Sequence, residues 1–123
     1  PSISFPYIDV RDVAKLHLKA IGTPEANGKR FIAAHANPTW MYDIAETLYN
    51  SGYKKVKLKK APSFLLKMIG LIDKRTKGLV PMLDKYVLID NSQTINILKW
   101  EPMPLDQAFI EHAKSITEIR ESK

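Results

Sequence analysis

The stretch FPYIDVRDVAKLHLKAI, residues 5–21, changes its hydrophobic periodicity near the middle. Its first residues predict a short strand. From there on, apolar residues recur at three- and four-residue spacing, which predicts one face of an amphipathic helix: Val10, Val13, Ala14, Leu18 and Ile21. Asp9 is suited to cap this helix. The negative charge of Asp12 is favourable in the first turn, because the N-terminal end of a helix dipole is positive. A strand that leads straight into a helix is the building unit of α/β folds.

The remainder of the chain continues this alternation. Apolar or alternating runs predict strands at 29–34, 54–60 and 86–90, and helical spacing predicts helices at 40–50, from 62, at 91–98 and at 104–120. The run RFIAA within 29–34 does not alternate, which is typical of a parallel strand buried on both faces. The sequence therefore predicts an α/β fold class with a few short, mainly parallel strands packed with helices.

Composition indicates an ordinary globular domain. The chain has 123 residues, of which 45% are hydrophobic and 26% are charged, so we expect one domain spanning 1–123. There is no cysteine, which excludes disulfides and thiolate metal sites. The longest apolar run, 61–72, is too short to cross a bilayer, so we predict a cytoplasmic protein without a membrane partner.

Motifs that would carry chemistry within the chain are missing from its sequence. The five glycines are scattered and form no phosphate-binding loop, and the three histidines stand 18 and 77 residues apart. Tyr53 and Lys57 satisfy a Tyr-x-x-x-Lys pattern, but their segment alternates like a strand, in which the two side chains would lie roughly 13 Å apart. We therefore predict no catalytic, cofactor-binding or metal-ligating residue in this chain.

Two longer stretches carry a family resemblance. IDVRDVA with a following histidine (8–17) and DNSQTINILKWEP (90–102) occur here in order with GKRFIAA and TWMYDIAETL between them. Together they resemble the C-terminal part of an extended short-chain dehydrogenase/reductase, in the epimerase/dehydratase superfamily, and its dihydroflavonol-reductase-like branch in particular. The resemblance covers nearly the whole chain, and both stretches are signatures of the fold.

The resemblance implies that a larger Rossmann half lies upstream of Pro1. That half would carry the dinucleotide loop and the catalytic tyrosine and lysine, and would bind NADP or NAD. RFIAA would be the last strand of the nucleotide-binding sheet, and the rest would form the substrate-binding subdomain. Alone, the fragment is expected to bind no cofactor and to be inactive, and its uncovered faces are expected to make it self-associate as a homo-oligomer.

The substrate expected from the resemblance is a small apolar or aromatic carbonyl compound. Nucleotide-sugar epimerases usually begin the strand corresponding to FPYIDV with an arginine, whereas Phe5 stands here and cannot pair with phosphate. Phe5 and Tyr7 would share one strand face, and Phe64 and Met68 one helix face in the segment that covers the substrate. These four residues are the predicted substrate-binding wall. Lys99 stands where the family often has glycine before the tryptophan.

Two other functions stay open. The first is a non-catalytic sensor or scaffold that keeps the dehydrogenase-like fold. The second is nucleic-acid binding through Lys54–Lys60, which holds five lysines in seven residues within a segment, 54–85, of net charge +8. Only Tyr53 flanks that run as a stacking ring, and no nucleic-acid-binding motif accompanies it, so the sequence disfavours a nucleic-acid partner.

Overall fold

The computed structural model describes residues 2–59, 62, 64–65, 68–69, 78 and 80–122. Over these residues helices alternate with two very short strands, and single 3-10 turns lie at Pro24–Ala26 and Val80–Met82. The elements in chain order are β1 (Ser4–Phe5), α1 (Val10–Gly22), β2 (Thr39–Trp40), α2 (Met41–Asn50), α3 (Ser92–Leu98) and α4 (Leu105–Glu121). The combination of helices with a small sheet agrees with a small domain of the mixed α/β type.

The chain forms two compact units, and each is made of two chain segments. The first unit contains Pro1–Phe5 and Thr39–Val87, and the second contains Pro6–Pro38 and Leu88–Lys123. Each unit is described by itself.

The first unit is organised around residues 2–5. β1 pairs antiparallel with β2, and the opposite edge of the same segment forms an isolated antiparallel bridge from Ile3 to Leu83. The Ser4 hydroxyl adds a 2.7 Å hydrogen bond to the Lys85 carbonyl. Ile3, Ser4 and Leu83 are all buried, because the segment has chain on both of its edges.

Helix α2 follows β2 directly in the first unit. Its apolar residues Ile44, Ala45, Leu48 and Tyr49 are half-buried, as their helical spacing predicts. The helix ends before Gly52, which has a φ of 104°, a backbone conformation that glycine adopts without strain.

The second unit is built on one side of α1. Asp9 caps this helix through its carboxylate, which accepts the Arg11 backbone N–H at 2.8 Å. Leu16 packs with Ala26, Leu98 and Trp100 in the buried core. Half-buried apolar residues surround that core: Ile8, Ala20, Phe31, Ala33 and Ile97.

The segment 32–36 is held along one edge by the chain around α3. The Thr94 hydroxyl donates to the Ile32 carbonyl at 2.8 Å, the Asn91 amide donates to the Ala34 carbonyl at 2.8 Å, and the Ile89 N–H donates to the Ala36 carbonyl at 2.9 Å. Alternate carbonyls of an extended chain point to the same side. Side chains of α3 and its N-cap thus replace two of the backbone donors that a neighbouring strand would supply.

The predicted strands are mostly wrong within the described residues, and the one paired sheet there is antiparallel and not parallel. The strand before α1 ends at Phe5 because Pro6 has no N–H to continue the ladder. The segments 29–34 and 86–90 form no strand, since side-chain donors occupy the carbonyls of Ile32 and Ala34. Over 54–59 the chain opens with a turn, in which the Val56 N–H donates to the Tyr53 carbonyl.

The apolar face predicted for α1 is also largely wrong. Leu16, with Asp12, is buried, whereas Val10, Leu18 and Ile21 are 77%, 72% and 85% exposed. The apolar arc of this helix is wider than the face that its own unit covers. In α4 the apolar residues at helical spacing are only partly covered, since Ala108 is buried but Ile116 and Ile119 are exposed.

Candidate functional site

Tyr7 is the best-anchored member of the predicted substrate-binding wall. Its ring meets the ring of Phe109 edge to face, with 5.2 Å between centroids, and its carbonyl accepts the His35 N–H at 3.0 Å. Partial burial raises the pKa of the Tyr7 phenol, so the group is neutral at physiological pH. Tyr7 therefore places a neutral phenol beside the Phe109 ring in the second unit.

Phe5 does not share a strand face with Tyr7. Phe5 ends β1 opposite Thr39 in the first unit, whereas Tyr7 follows Pro6 in the second unit. The predicted common face assumed an unbroken strand from Phe5 to Tyr7, which the proline interrupts. The apolar side chain of Phe5 is half-buried in the first unit.

Phe64 and Met68 are helical, as predicted, and strongly exposed at 64% and 52%. Leu65 and Ile69 are helical as well and are 45% and 42% exposed. The remaining residues from 60 to 77, apart from Pro62, lie outside the described residues. These four large apolar side chains thus have much of their surface open to contact with an apolar molecule.

A recess in the second unit was missed by sequence reasoning. Its volume is about 610 Å³ and it lies beside the start of the 32–36 segment. The lining combines glycine, charged, polar and apolar residues: Gly28, Arg30, Phe31, Ile32, Asp90, Gln93 and Thr94. Hydrogen bonds from Ser92 lower the pKa of Asp90, which keeps this carboxylate ionised. The recess is thus more polar than the apolar wall expected for the substrate, and no spacing in the sequence marked it.

The lysine-rich segment has one lysine that is already engaged. Lys54 lies 4.1 Å from the centre of the Tyr49 ring and donates to the Tyr49 carbonyl at 2.9 Å. Val56 and Leu58 are half-buried and the alternating Lys55, Lys57 and Lys59 are exposed, as the alternation predicts. A cavity of about 400 Å³ at 52–56 is lined by this same turn. Lys60 lies outside the described residues.

The aspartates of the opening stretch have structural partners, as the capping interpretation predicts for Asp9. The Arg11 side chain forms hydrogen bonds to both Asp9 carboxylate oxygens and an ion pair with Glu111. These contacts with Arg11 lower the pKa of Asp9 to about 2. Asp12 is only 1% exposed, and its carboxylate accepts the Met103 N–H at 2.7 Å. Asp12 thereby ties α1 to the loop before α4.

Half-buried His35 lies against buried Trp100. Their rings meet at a steep angle with 6.0 Å between centroids. The His35 Nε2 atom and the Trp100 Nε1 atom are both buried, and neither has a hydrogen-bond partner among the described residues. This pair had no signal in the sequence, because 65 residues separate the two side chains.

Two features are absent from the part of the chain that the structure describes. Among the described residues, no group of three or more histidine, cysteine or acidic side chains could hold a metal ion. The helices in this part of the chain are also too short or too polar to cross a membrane. No family model, no curated protein and no solved structure matches the chain.

Proposed function

We propose that this chain is the substrate-binding C-terminal portion of an NAD(P)H-dependent reductase of the extended short-chain dehydrogenase/reductase type. Its substrate would be a small apolar or aromatic carbonyl compound. The parallel strands of a Rossmann sheet, the dinucleotide loop and the catalytic tyrosine and lysine would be encoded upstream. The cofactor would supply the hydride, and residues of the present chain would bind and orient the substrate and exclude water.

The observation that carries this proposal is the coupling between the two signature stretches. Asp12, from IDVRDVA, accepts the N–H of Met103, the residue that follows DNSQTINILKWEP. Trp100 and Leu98, from the second stretch, pack on Leu16 of α1 in one core. Stretches that define a fold are expected to meet in its core, and these do so across more than 70 residues of chain.

A second feature supports an apolar ligand. Phe64, Leu65, Met68 and Ile69 leave apolar surface open in the segment that would cover the substrate. Phe5 offers a ring in place of a phosphate-binding arginine. Neither feature provides a cofactor site, since the chain has no glycine-rich loop, and no cofactor step is assigned to its residues.

The proposal is tested by expressing the chain together with the upstream coding sequence of its gene. The upstream sequence should contain a glycine-rich loop after a strand and a helical Tyr-x-x-x-Lys. The extended protein should oxidise NADPH or NADH with aromatic ketones or aldehydes, followed at 340 nm. Phe64→Ala and Met68→Ala should raise KM about tenfold, because each removes apolar contact with the substrate.

A control variant and the isolated chain show whether the effects are specific. Ile119→Ala removes an equally exposed apolar side chain from α4 and should leave KM unchanged. The 123-residue chain alone should show no NADPH binding by calorimetry and no turnover. Turnover by that chain alone, or an upstream sequence without the loop and the tyrosine, would overturn the proposal. An intact loop without the tyrosine and lysine would indicate the non-catalytic sensor instead.

A further inference from the structure

Helix α1 carries more apolar surface than its own unit covers. Around the helix axis, Leu16 and Ala20 face the core with Asp12 beside them. A second stripe, made of Val10, Ala14, His17 and Ile21 with Leu18 beside it, lies on another side. All five residues of this stripe are exposed, and its three large aliphatic side chains are 72–85% exposed. We call these five residues the outer stripe.

Charges next to the outer stripe are satisfied within the chain. Arg11 pairs with Asp9 and Glu111, the Lys15 amine lies 3.9 Å from the Asp12 carboxylate, and the Lys19 amine donates to the Lys99 carbonyl. An acidic partner is therefore not needed to balance this edge of the helix. Two identical edges can also approach each other with reduced repulsion, because each cation has an acidic group or a carbonyl oxygen beside it.

The spacing of the outer stripe is symmetric about its middle. Val10, Ala14, His17 and Ile21 follow one another at intervals of four, three and four residues. That is the heptad spacing of a helix–helix seam. Reversing the direction of the helix leaves the pattern unchanged, so an antiparallel copy presents its side chains at matching intervals and residue i contacts j where j contacts i.

We propose that the outer stripe of α1 pairs with the same stripe of a second copy of this chain, as two antiparallel helices. In this register Val10 faces Ile21 of the second copy at each end. Ala14 faces His17 of the second copy at the centre, so that a small side chain meets a large one. Leu18 packs along the Arg11 stem of the second copy. This contact goes beyond the proposed enzymatic role and does not depend on it.

The size of this contact sets its strength. One pair of helices of 13 residues buries less than the ~1,200–2,000 Å² of a standard stable interface. The dimer is therefore expected to be weak and concentration-dependent, with a dissociation constant in the micromolar range, ~10–100 µM.

Sedimentation velocity of the 123-residue chain tests the contact. Across ~1–300 µM the weight-average sedimentation coefficient should rise from that of a monomer towards that of a dimer. Val10→Glu and Ile21→Lys should each weaken association at least about tenfold by placing a charge in the seam. The combined V10E/I21K variant should regain most of the loss, because each glutamate then faces a lysine of the second copy.

These variants separate loss of contact from loss of fold. Glutamate at the start of α1 and lysine in its last turn both suit the helix dipole, so circular dichroism should show unchanged melting of the monomer. Ile119→Lys, on the exposed side of α4, should leave association unchanged. A monomer at ~300 µM, or a dimer that ignores Ile21→Lys, would overturn the proposal, and V10E/I21K without recovery would overturn the antiparallel register.

Discussion

Asn91 shows how much a single amide contributes to this fold. It is buried, and its amide group donates to the Ala34 carbonyl at 2.8 Å. Thr94 is fully buried, and its hydroxyl group donates to the Ile32 carbonyl. Buried donors of this kind stabilise modestly when paired, and their loss is costly because the acceptor is then left without a partner.

Replacing Asn91 by Asp tests this contact without changing side-chain size. The carboxylate has no N–H and would place an anionic oxygen against the Ala34 carbonyl, so we expect a loss of about 2 kcal/mol in the free energy of unfolding at pH 7. Urea denaturation measures it. Asn96→Asp makes the same change at an exposed site of the same helix and should cost under ~0.5 kcal/mol. Equal stability of the two variants would contradict the assigned hydrogen bond.

Asp9 provides a test of pH dependence. Its pKa of about 2 in the folded chain lies below its ordinary value of 3.8, because Arg11 donates hydrogen bonds to its ionised form. A lowered folded-state pKa means that this stabilisation is present above about pH 3.8 and is lost as pH falls through about 2. In Arg11→Gln the pKa of Asp9 should rise towards 3.8, as measured by NMR titration of the carboxyl carbon.

Two controls accompany the Asp9 titration. Arg120→Gln removes the same charge from the end of α4 and should leave the pKa of Asp9 at about 2. Asp9→Asn should remove the extra dependence of stability on pH below 3.8. An Asp9 that titrates at its ordinary value in the unaltered chain would show that the contact with Arg11 is weak in solution.

Helix α3 ends at a C-cap residue, Lys99, that has an unfavourable backbone conformation. Lys99 has φ 49° and ψ 47°, the left-handed region in which glycine is much preferred. Lys99→Gly should therefore stabilise the chain by about 0.5–1 kcal/mol, measured by thermal denaturation. Lys99→Ala removes the same side chain but keeps the unfavourable φ, so it should give no gain. A stabilising alanine would show that loss of the lysine charge, and not backbone strain, is responsible.

The helices were predictable from the sequence because their causes are local. Asp9 caps α1 through its own side chain, and the expected ends of α2, α3 and α4 lie within a residue or two of those observed. The strands were less predictable because pairing needs a distant partner. The carbonyl groups of the apolar run at 29–34 accept hydrogen bonds from the side chains of Asn91 and Thr94. These residues are distant in sequence, so no local pattern predicts the contact.

The candidate site was predictable only in part, for the same reason. Phe64 and Met68 are both helical, as their four-residue spacing predicts locally. The relation between Phe5 and Tyr7 depended on an unbroken strand, and Pro6 interrupts it. The recess beside Arg30 joins residues about 60 positions apart, so sequence spacing could not reveal it.

At the scale of the whole molecule, the uneven charge makes a testable distinction between functions. The net charge is +6, but Lys54 is held against the Tyr49 ring, and Tyr53 is the only aromatic residue that directly flanks the lysines of 54–59. We expect no saturable binding of a labelled single-stranded oligonucleotide at ~0.15 M salt by fluorescence anisotropy, and only weak, salt-sensitive binding below that. Tight binding that weakens in Lys55→Ser but not in Lys114→Ser would instead assign the lysine segment to nucleic acid.

The path of the chain through the second unit has a practical consequence for dissecting the protein. That unit is interrupted by residues 39–87, yet Ala36 and Ile89, near the two sides of the interruption, are joined by one 2.9 Å hydrogen bond. A linker of a few residues could therefore connect Pro38 directly to Leu88 in place of residues 39–87. Replacing the codons for residues 39–87 by those of the linker would then give a shortened protein that contains α1, α3 and α4. The remaining segments would keep their order in the chain, so no circular permutation is needed.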